Sequence, residues 1–374
     1  MRKFWYIWMI ILVITACQEV FEPDVEDTPP FLVVEGRIST VPGSHLIRLT
    51  YSKTFNETPY ANPVSSATVE VYDDAGNVFT YHQFGQGGYY KTNTAEQIRA
   101  EIGHTYTLRI TTPNGDVYES SPQTIVEVAP IESITATYTS NIILVDDGYG
   151  GYSEIEQDGF DVNVNVTGIH ENDNYYIYDW NLIGQFRVMG TYPMDSGQPI
   201  QNIFYDYQTL SANLEKIIAT VNANQYVDKK VKDKKLLFLS RNEFTTLSTP
   251  CVPDTFEVDP VSFDGVIMRI FQHSLSKDAF DFWYDVQKQL ESSGQIFDPV
   301  ASQIKGNIKC VSDSTKMAFG VFYASDVSEF VNYLYINMYD HTYSQALPVN
   351  FRPEVWMDSC FTDIPPDTWI MPPF

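Results

Sequence analysis

The chain has 374 residues, 48 acidic against 23 basic, and a formal net charge of −25. Such a balance excludes a nucleic-acid binder, which needs a basic face, and a hydrophobic share of 44% excludes a disordered chain. Aromatic residues reach 14%, a lean toward β-structure, and the length fits two domains.

The first stretch carries a location signal. Arg2 and Lys3 precede an apolar run from Phe4 to Ile14, short for a bilayer span and the right length for the core of a signal peptide. Small residues follow, then Cys17. The order Ile14-Thr15-Ala16-Cys17 resembles a bacterial lipobox. On that reading residues 1–16 are a lipoprotein signal peptide. Cys17 then takes the lipid, and its acyl chains hold the protein on the outer membrane at about 0.8 kcal/mol per buried methylene. The competing reading is an ordinary secretory signal with a coincidental cysteine.

Residues 17–30 form an acidic tether with five acids and three prolines. Its acids resemble the export signals of Bacteroidota surface lipoproteins, which implies a protein facing outward at the cell surface. A plain solvated linker is the alternative.

From Phe31 the pattern changes to short alternating runs separated by turns. Phe31–Ser39, His45–Tyr51, Thr68–Tyr72, Val78–His82, Gly88–Lys91, Thr105–Thr111 and Val117–Ser121 read as strands. Asp74-Ala75-Gly76-Asn77 and Pro113-Asn114-Gly115-Asp116 read as hairpin turns, and so does the glycine run Gly85-Gln86-Gly87-Gly88. Residues 31–125 are therefore expected to fold alone as an immunoglobulin-like or prealbumin-like β-sandwich.

Residues 126–374 are expected to form a larger antiparallel β-domain, a barrel or sandwich, with one or two packed helices and a proline-rich tail. Phe160, Val162, Val164 and Val166 alternate with polar residues as a half-buried strand. Tyr175–Trp180, Gln185–Thr191, Leu236–Ser240, Gly265–Gln272 and Met317–Tyr323 are further strands. One helix follows Ser276 as N-cap, with Ala279, Phe282, Trp283, Val286 and Leu290 on one stripe. A weaker one covers Leu210–Val221.

Signals for chemistry are sparse. No His-Glu-x-x-His, Gly-x-Ser-x-Gly or Walker loop occurs, so the reading is a protein that is not an enzyme and needs no cofactor or metal. The acidic loop from Asp146 to Asp158 lacks EF-hand spacing. Lys229, Lys230, Lys232, Lys234 and Lys235 form a basic island, either a solvated turn or a contact with a partner or the membrane surface. Asp313-Ser314-Thr315 matches a short O-glycosylation pattern of Bacteroidota.

The remaining cysteines are Cys251, Cys310 and Cys360. The tail has few backbone bonds to hold it, so a Cys310–Cys360 bridge is expected, worth roughly 4 kcal/mol in the chain-entropy model, with Cys251 the competing partner.

Several stretches recur in one order: Phe31-Leu32-Val33-Val34-Glu35-Gly36, Ser274-Leu275-Ser276, Gly294-Gln295-Ile296-Phe297-Asp298-Pro299, Gly306-Asn307-Ile308 and Gly320-Val321-Phe322-Tyr323-Ala324-Ser325. Together they resemble the Bacteroidota outer-membrane lipoproteins known as domain of unknown function forty-two-forty-nine. That resemblance implies an accessory of a TonB-dependent receptor, capturing a ligand or covering the transporter mouth, and it transfers no catalytic residue. A cell-surface structural or adhesive module is the second reading.

Overall fold

Alternation of apolar and polar residues fixes which face of each strand turns inward. Leu32, Val34 and Ile38 are buried on one face of β1 (Leu32–Ser39), while Glu35 and Arg37 lie on the other. The computed structural model describes residues 30–52, 62–146, 152–192, 200–209, 218–240, 257–258, 262–291, 304–337 and 342–344.

The first lobe begins with β1 and continues through β2 (Leu46–Tyr51), β3 (Asn62–Pro63), β4 (Thr68–Asp73) and β5 (Val78–Gln83). β6 (Tyr89–Lys91), β7 (Thr105–Thr111), β8 (Val117–Ser120) and β9 (Gln123–Thr124) follow. All seven strands expected up to Ser121 are present, within a residue or so of their expected ends.

The turns are built as their residues require. The Asp73 carboxylate accepts from the N–H groups of Ala75 and Asn77 at 3.0 and 2.7 Å, and Gly76 supplies a φ of 90°. At Gly88 (φ 78°) an added Cβ would lie 2.0 Å from the Leu49 carbonyl oxygen, so only glycine fits there.

The second lobe holds the longer strands β10 (Ile131–Asp146), β11 (Tyr152–Thr167), β12 (Tyr175–Tyr192), β13 (Ile200–Thr209), β14 (Ala219–Asn222), β15 (Lys230–Ser240), β16 (Glu257–Val258) and β17 (Ser262–Leu275). The helix α1 (Lys277–Glu291) comes next, then β18 (Ile308–Cys310), β19 (Ala318–Ser325), β20 (Val327–Asn337) and β21 (Thr342–Ser344). The fold is mainly β, as expected.

The first sheet has 11 strands in the order β18-β8-β7-β4-β5-β6-β2-β1-β19, with β3 on β2 and β9 on β7. Nine of them come from residues 31–125, but β18 and β19 do not. β19 pairs with β1 in parallel from Leu32↔Ala318 to Ser39↔Ser325, and β18 pairs with β8. The sheet thus reaches past the boundary expected at residue 125.

Asn307 draws the two ends of this sheet together. Its side chain donates to the Phe322 carbonyl at 2.7 Å and accepts from the Phe322 N–H at 3.0 Å. Its own carbonyl accepts from the Ser121 N–H at 2.8 Å. An amide side chain so placed stands in for one more strand. Inside, Tyr90, Tyr106, Leu108, Ile110 and Phe322 are fully or almost fully buried.

The second lobe packs two sheets face to face. One runs β10-β11-β15. The other runs β13-β12-β17-β20-β21, with β14 and β16 on β12. Phe160, Val162, Val164 and Val166 from β11 meet Tyr176, Tyr178, Met268 and Ile270 from β12 and β17. Each such side chain contributes about 1.5–3 kcal/mol on burial.

Helix α1 starts as expected. Ser276 Oγ accepts from the Ala279 N–H at 3.3 Å and donates to Gln123 Oε1 at 2.6 Å. Its Ala279 and Phe280 pack with Ile177 and Leu275 of the second lobe and with Val321 and Tyr323 of β19, so the helix fills the corner between lobes. The helix expected over Leu210–Val221 does not extend to its end, because Ala219–Asn222 is strand β14, hydrogen-bonded to β12. Residues 210–217 lie outside the described residues.

Candidate functional site

The polar groups that strand alternation turns away from both cores meet where the lobes join. Arg37 lies on the outer face of β1, and Asp179 lies on β12 opposite the face that packs inside the second lobe. The two form an ion pair, and the Arg37 guanidinium also lies 3.4 Å from the Tyr323 hydroxyl. Behind them sits His273 of β17. Its Nδ1 is 3.2 Å from Ser325 Oγ, and its Nε2 is 3.3 Å from Asp179 Oδ2 without hydrogen-bond alignment.

A second carboxylate binds the same seam from the β19–β20 junction. Asp326 accepts from Thr40 Oγ1 at 2.7 Å and from the Val128 N–H at 2.9 Å. Its backbone N–H donates to Ser274 Oγ at 3.0 Å. β1, the interlobe linker and β17 therefore converge on one residue.

The electrostatics follow from this packing. Desolvation alone would raise the Asp179 carboxyl, but His273 and the Arg37 guanidinium outweigh it and hold the group well below the usual carboxylate range. Burial pushes His273 down, and the charge of Arg37 adds to that, against the opposing pull of Asp179. The imidazole is held neutral at pH 7.

Asp179, His273 and Ser325 follow the order of a hydrolase triad. Ser325 is nevertheless 0% exposed, so its hydroxyl is not presented to a substrate carbonyl. Arg37 and Asp179, with side chains 40% and 42% exposed, are the groups that solvent reaches.

The lysine island is divided among different tasks. Lys229 Nζ donates to the carbonyls of Ile169, His170 and Asn172 at 3.1, 2.9 and 2.5 Å, clamping one loop to another. Lys235 pairs with Asp161 at 2.5 Å and lies over the Phe238 ring. Lys230 and Lys232 are exposed, and Lys234 is half-buried. β15 lies at the end of its sheet and carries a bulge at Asp233 (φ 47°). Lysines and a bulge at such a position blunt an edge against pairing with other chains.

Cys310 is buried with a free thiol, 3.4 Å from Ser312 Oγ, and packs in the first-lobe core. A bridge from it to Cys360 would have to enter that core. Cys17, Cys251 and Cys360 lie outside the described residues, as do residues 147–151 of the acidic run, while its Glu154, Glu156 and Asp158 lie on strand β11 rather than in a loop. Among the described residues no group of His, Cys, Asp and Glu could hold a metal ion. Asp313 caps an exposed turn, accepting from Thr315 Oγ1 at 2.7 Å.

Arg37, Asp179, His273 and Asp326 were not singled out by sequence reasoning. Their only sequence signal is a charged or imidazole side chain inside a strand pattern, and that signal does not name a partner.

No curated protein matches this chain. A solved structure, a DUF4785 family protein from Legionella pneumophila, shares 10% identity over 64% of this chain and 52% of that one, with a TM-score of 0.18. This chain thus spans about half of that protein's length. The model of the family described as "Domain of unknown function (DUF4249)" matches residues 18–330, most of the chain, and the protein belongs to that family.

Proposed function

We propose that this protein is a lipid-anchored, outward-facing outer-membrane lipoprotein that assists a TonB-dependent transporter. It does so by capturing a ligand or covering the transporter mouth. The lipobox at Cys17 and the acidic tether support the location.

The observation that carries the accessory role is the seam. β1, the first strand after the tether, is fastened to the second lobe through Arg37–Asp179 and Thr40–Asp326. A body coupled in this way carries its two lobes as one unit at the end of the tether, as a cover or a capture module requires. Strands of 16 and 18 residues, β11 and β12, give the second lobe its reach.

Affinity isolation of the tagged protein from outer membranes in mild detergent tests this reading. A TonB-dependent receptor recovered in near-equal amount is the expected result. Recovery of the lipoprotein alone, with the tag accessible, overturns it.

A further inference from the structure

We infer that the acidic tether, residues 17–30, docks on the outer face of the first lobe, against a patch of cations and aromatic rings on β2, β6 and the end of β5. Such docking needs neither a transporter nor a lipid on Cys17.

Strand alternation builds the patch. Ile47 and Leu49 of β2 and Tyr90 of β6 turn into the core, so Leu46, Arg48, Tyr89 and Lys91 share the outer face. The register sets Arg48 opposite Tyr89 and Leu46 opposite Lys91. The Arg48 guanidinium lies over the Tyr89 ring at 5.3 Å, and the Lys91 ammonium lies over the Phe84 ring at 5.0 Å. Phe84 follows β5 and is held level with Tyr89, whose carbonyl accepts from its N–H at 2.8 Å.

Two properties of the patch call for an occupant. Phe84 is 58% exposed and Leu46 44%, on either side of Lys91, so apolar surface is left open beside the cations. Each cation also rests on a ring instead of a carboxylate. Among the described residues, neither Arg48 nor Lys91 joins an ion pair, in a chain with 48 acids to 23 basic residues. Glu35 of β1 faces Arg48 across the ladder, but it is exposed and outside ion-pair distance.

Charge and reach select the tether. It carries Glu19, Glu22, Asp24, Glu26 and Asp27, with Val20, Phe21 and Val25 among them. The carboxylates answer Arg48 and Lys91, and the apolar side chains answer Leu46 and Phe84. The tether also enters the lobe beside β2. The Phe31 N–H donates to Ser52 Oγ at 2.8 Å, and the Phe31 carbonyl accepts from the Ser52 N–H at 2.8 Å. With about 3.3 Å per residue along a strand and about 4.8 Å between strands, Arg48 and Lys91 lie about 10–20 Å from Leu32. The segment Glu22–Asp27, five to ten residues before Leu32, spans that distance. Its place on the same chain gives it an effective concentration that a separate acidic protein lacks. A second copy would bring another strongly negative body against this one.

Docking would set how far the body stands from residue 17. Held on the patch, the tether keeps the first lobe close to that point. Released, its 14 residues extend to at most about 50 Å.

Proteinase K digestion of the mature full chain tests the docking, with Cys17→Ser to keep it in solution and mass spectrometry to follow loss of the tether. The isolated peptide 17–30 corrects for the response of the protease itself to salt. Cleavage in about 20 mM salt is expected to be at least about fivefold slower than in about 500 mM, where the attraction is screened. Arg48→Gln combined with Lys91→Gln should remove the protection at low salt. Arg48 is half-buried, so Phe84→Ser, at an exposed position, serves as a second patch variant and should weaken the protection as well. Neutralising Glu22, Asp24, Glu26 and Asp27 to their amides leaves the body untouched and should free the tether.

Equal cleavage at both salt concentrations overturns the inference. So does protection that survives in both patch variants, which would place the tether elsewhere. A dimer by sedimentation that breaks up in the patch variants while the tether stays open to protease assigns the patch to a second copy, and overturns it too.

Discussion

The two lobes solve the same problem, burying one face of a sheet, in opposite ways. The first lobe curls a single sheet until its ends meet at Asn307, and two of its strands come from residues beyond 300. The second lobe lays two separate sheets together, mostly from long neighbouring strands such as β10 and β11. The difference teaches where each lobe is vulnerable. A curled sheet depends on the residues that close it, however far away they lie in sequence. Stacked sheets depend on register within each hairpin, where a one-residue slip exposes the whole apolar face.

The largest effect should come from separating the first lobe from its distant strands. A fragment of residues 31–125 lacks β18 and β19 and leaves two edges unpaired. It is expected to give a disordered or aggregated species by circular dichroism and light scattering. Adding residues 304–325 should restore a folded monomer. A folded fragment 31–125 would break the comparison.

A smaller effect is expected at the closure itself. Asn307→Ala leaves the Phe322 N–H and C=O without partners, at a cost of about 2–4 kcal/mol. Denaturant unfolding should place that loss in the first lobe, with hydrogen exchange accelerated at β19 before β11. A loss spread equally over both lobes would show that closure is not a local property.

The smallest effect is a pH slope at the seam. His273 is lowered in the folded protein, so on acidification the unfolded chain takes up its proton first. Its contribution is complete above the ordinary imidazole value of about 6.5 and is lost as pH falls below it, at no more than about 1.4 kcal/mol per pH unit. Asp179, also lowered, acts in the same direction at more acid pH. His45, buried in the first lobe and lowered as well, adds to the slope near neutrality. His273→Gln should therefore flatten the decline in unfolding midpoint between pH 7.5 and 5.5 without removing it. An unchanged slope would exclude His273 as a contributor.

Much of the local structure was legible in the residues. The alternation in Phe31–Ser39 and Thr105–Thr111, the turn at Asp73–Asn77 and the cap at Ser276 each depend on neighbours a few positions away. The closure of the first sheet was not legible. Val34 and Gly320 pair because the chain returns after nearly three hundred residues, and nothing in their own alternation names the partner. The same holds for Arg37 and Asp179. Either alone reads as a solvated strand residue, and only the meeting of two lobes makes them a pair. The lysine island stood out by composition, yet Lys229 is drawn in by three backbone carbonyls that no periodicity reveals.

The parallel pairing of β1 with β19 has a mechanical consequence. Any pull on a tethered amino terminus runs along the axis of β1, which is bonded to β19 on one side and to β2 on the other. Load in that direction shears both ladders at once, so many hydrogen bonds must fail together rather than one after another from an end. The contacts of Arg37 and Thr40 near the far end of the strand pass part of the load into the second lobe. On the proposed anchoring at Cys17, load enters the body through a strand that is bonded on both sides.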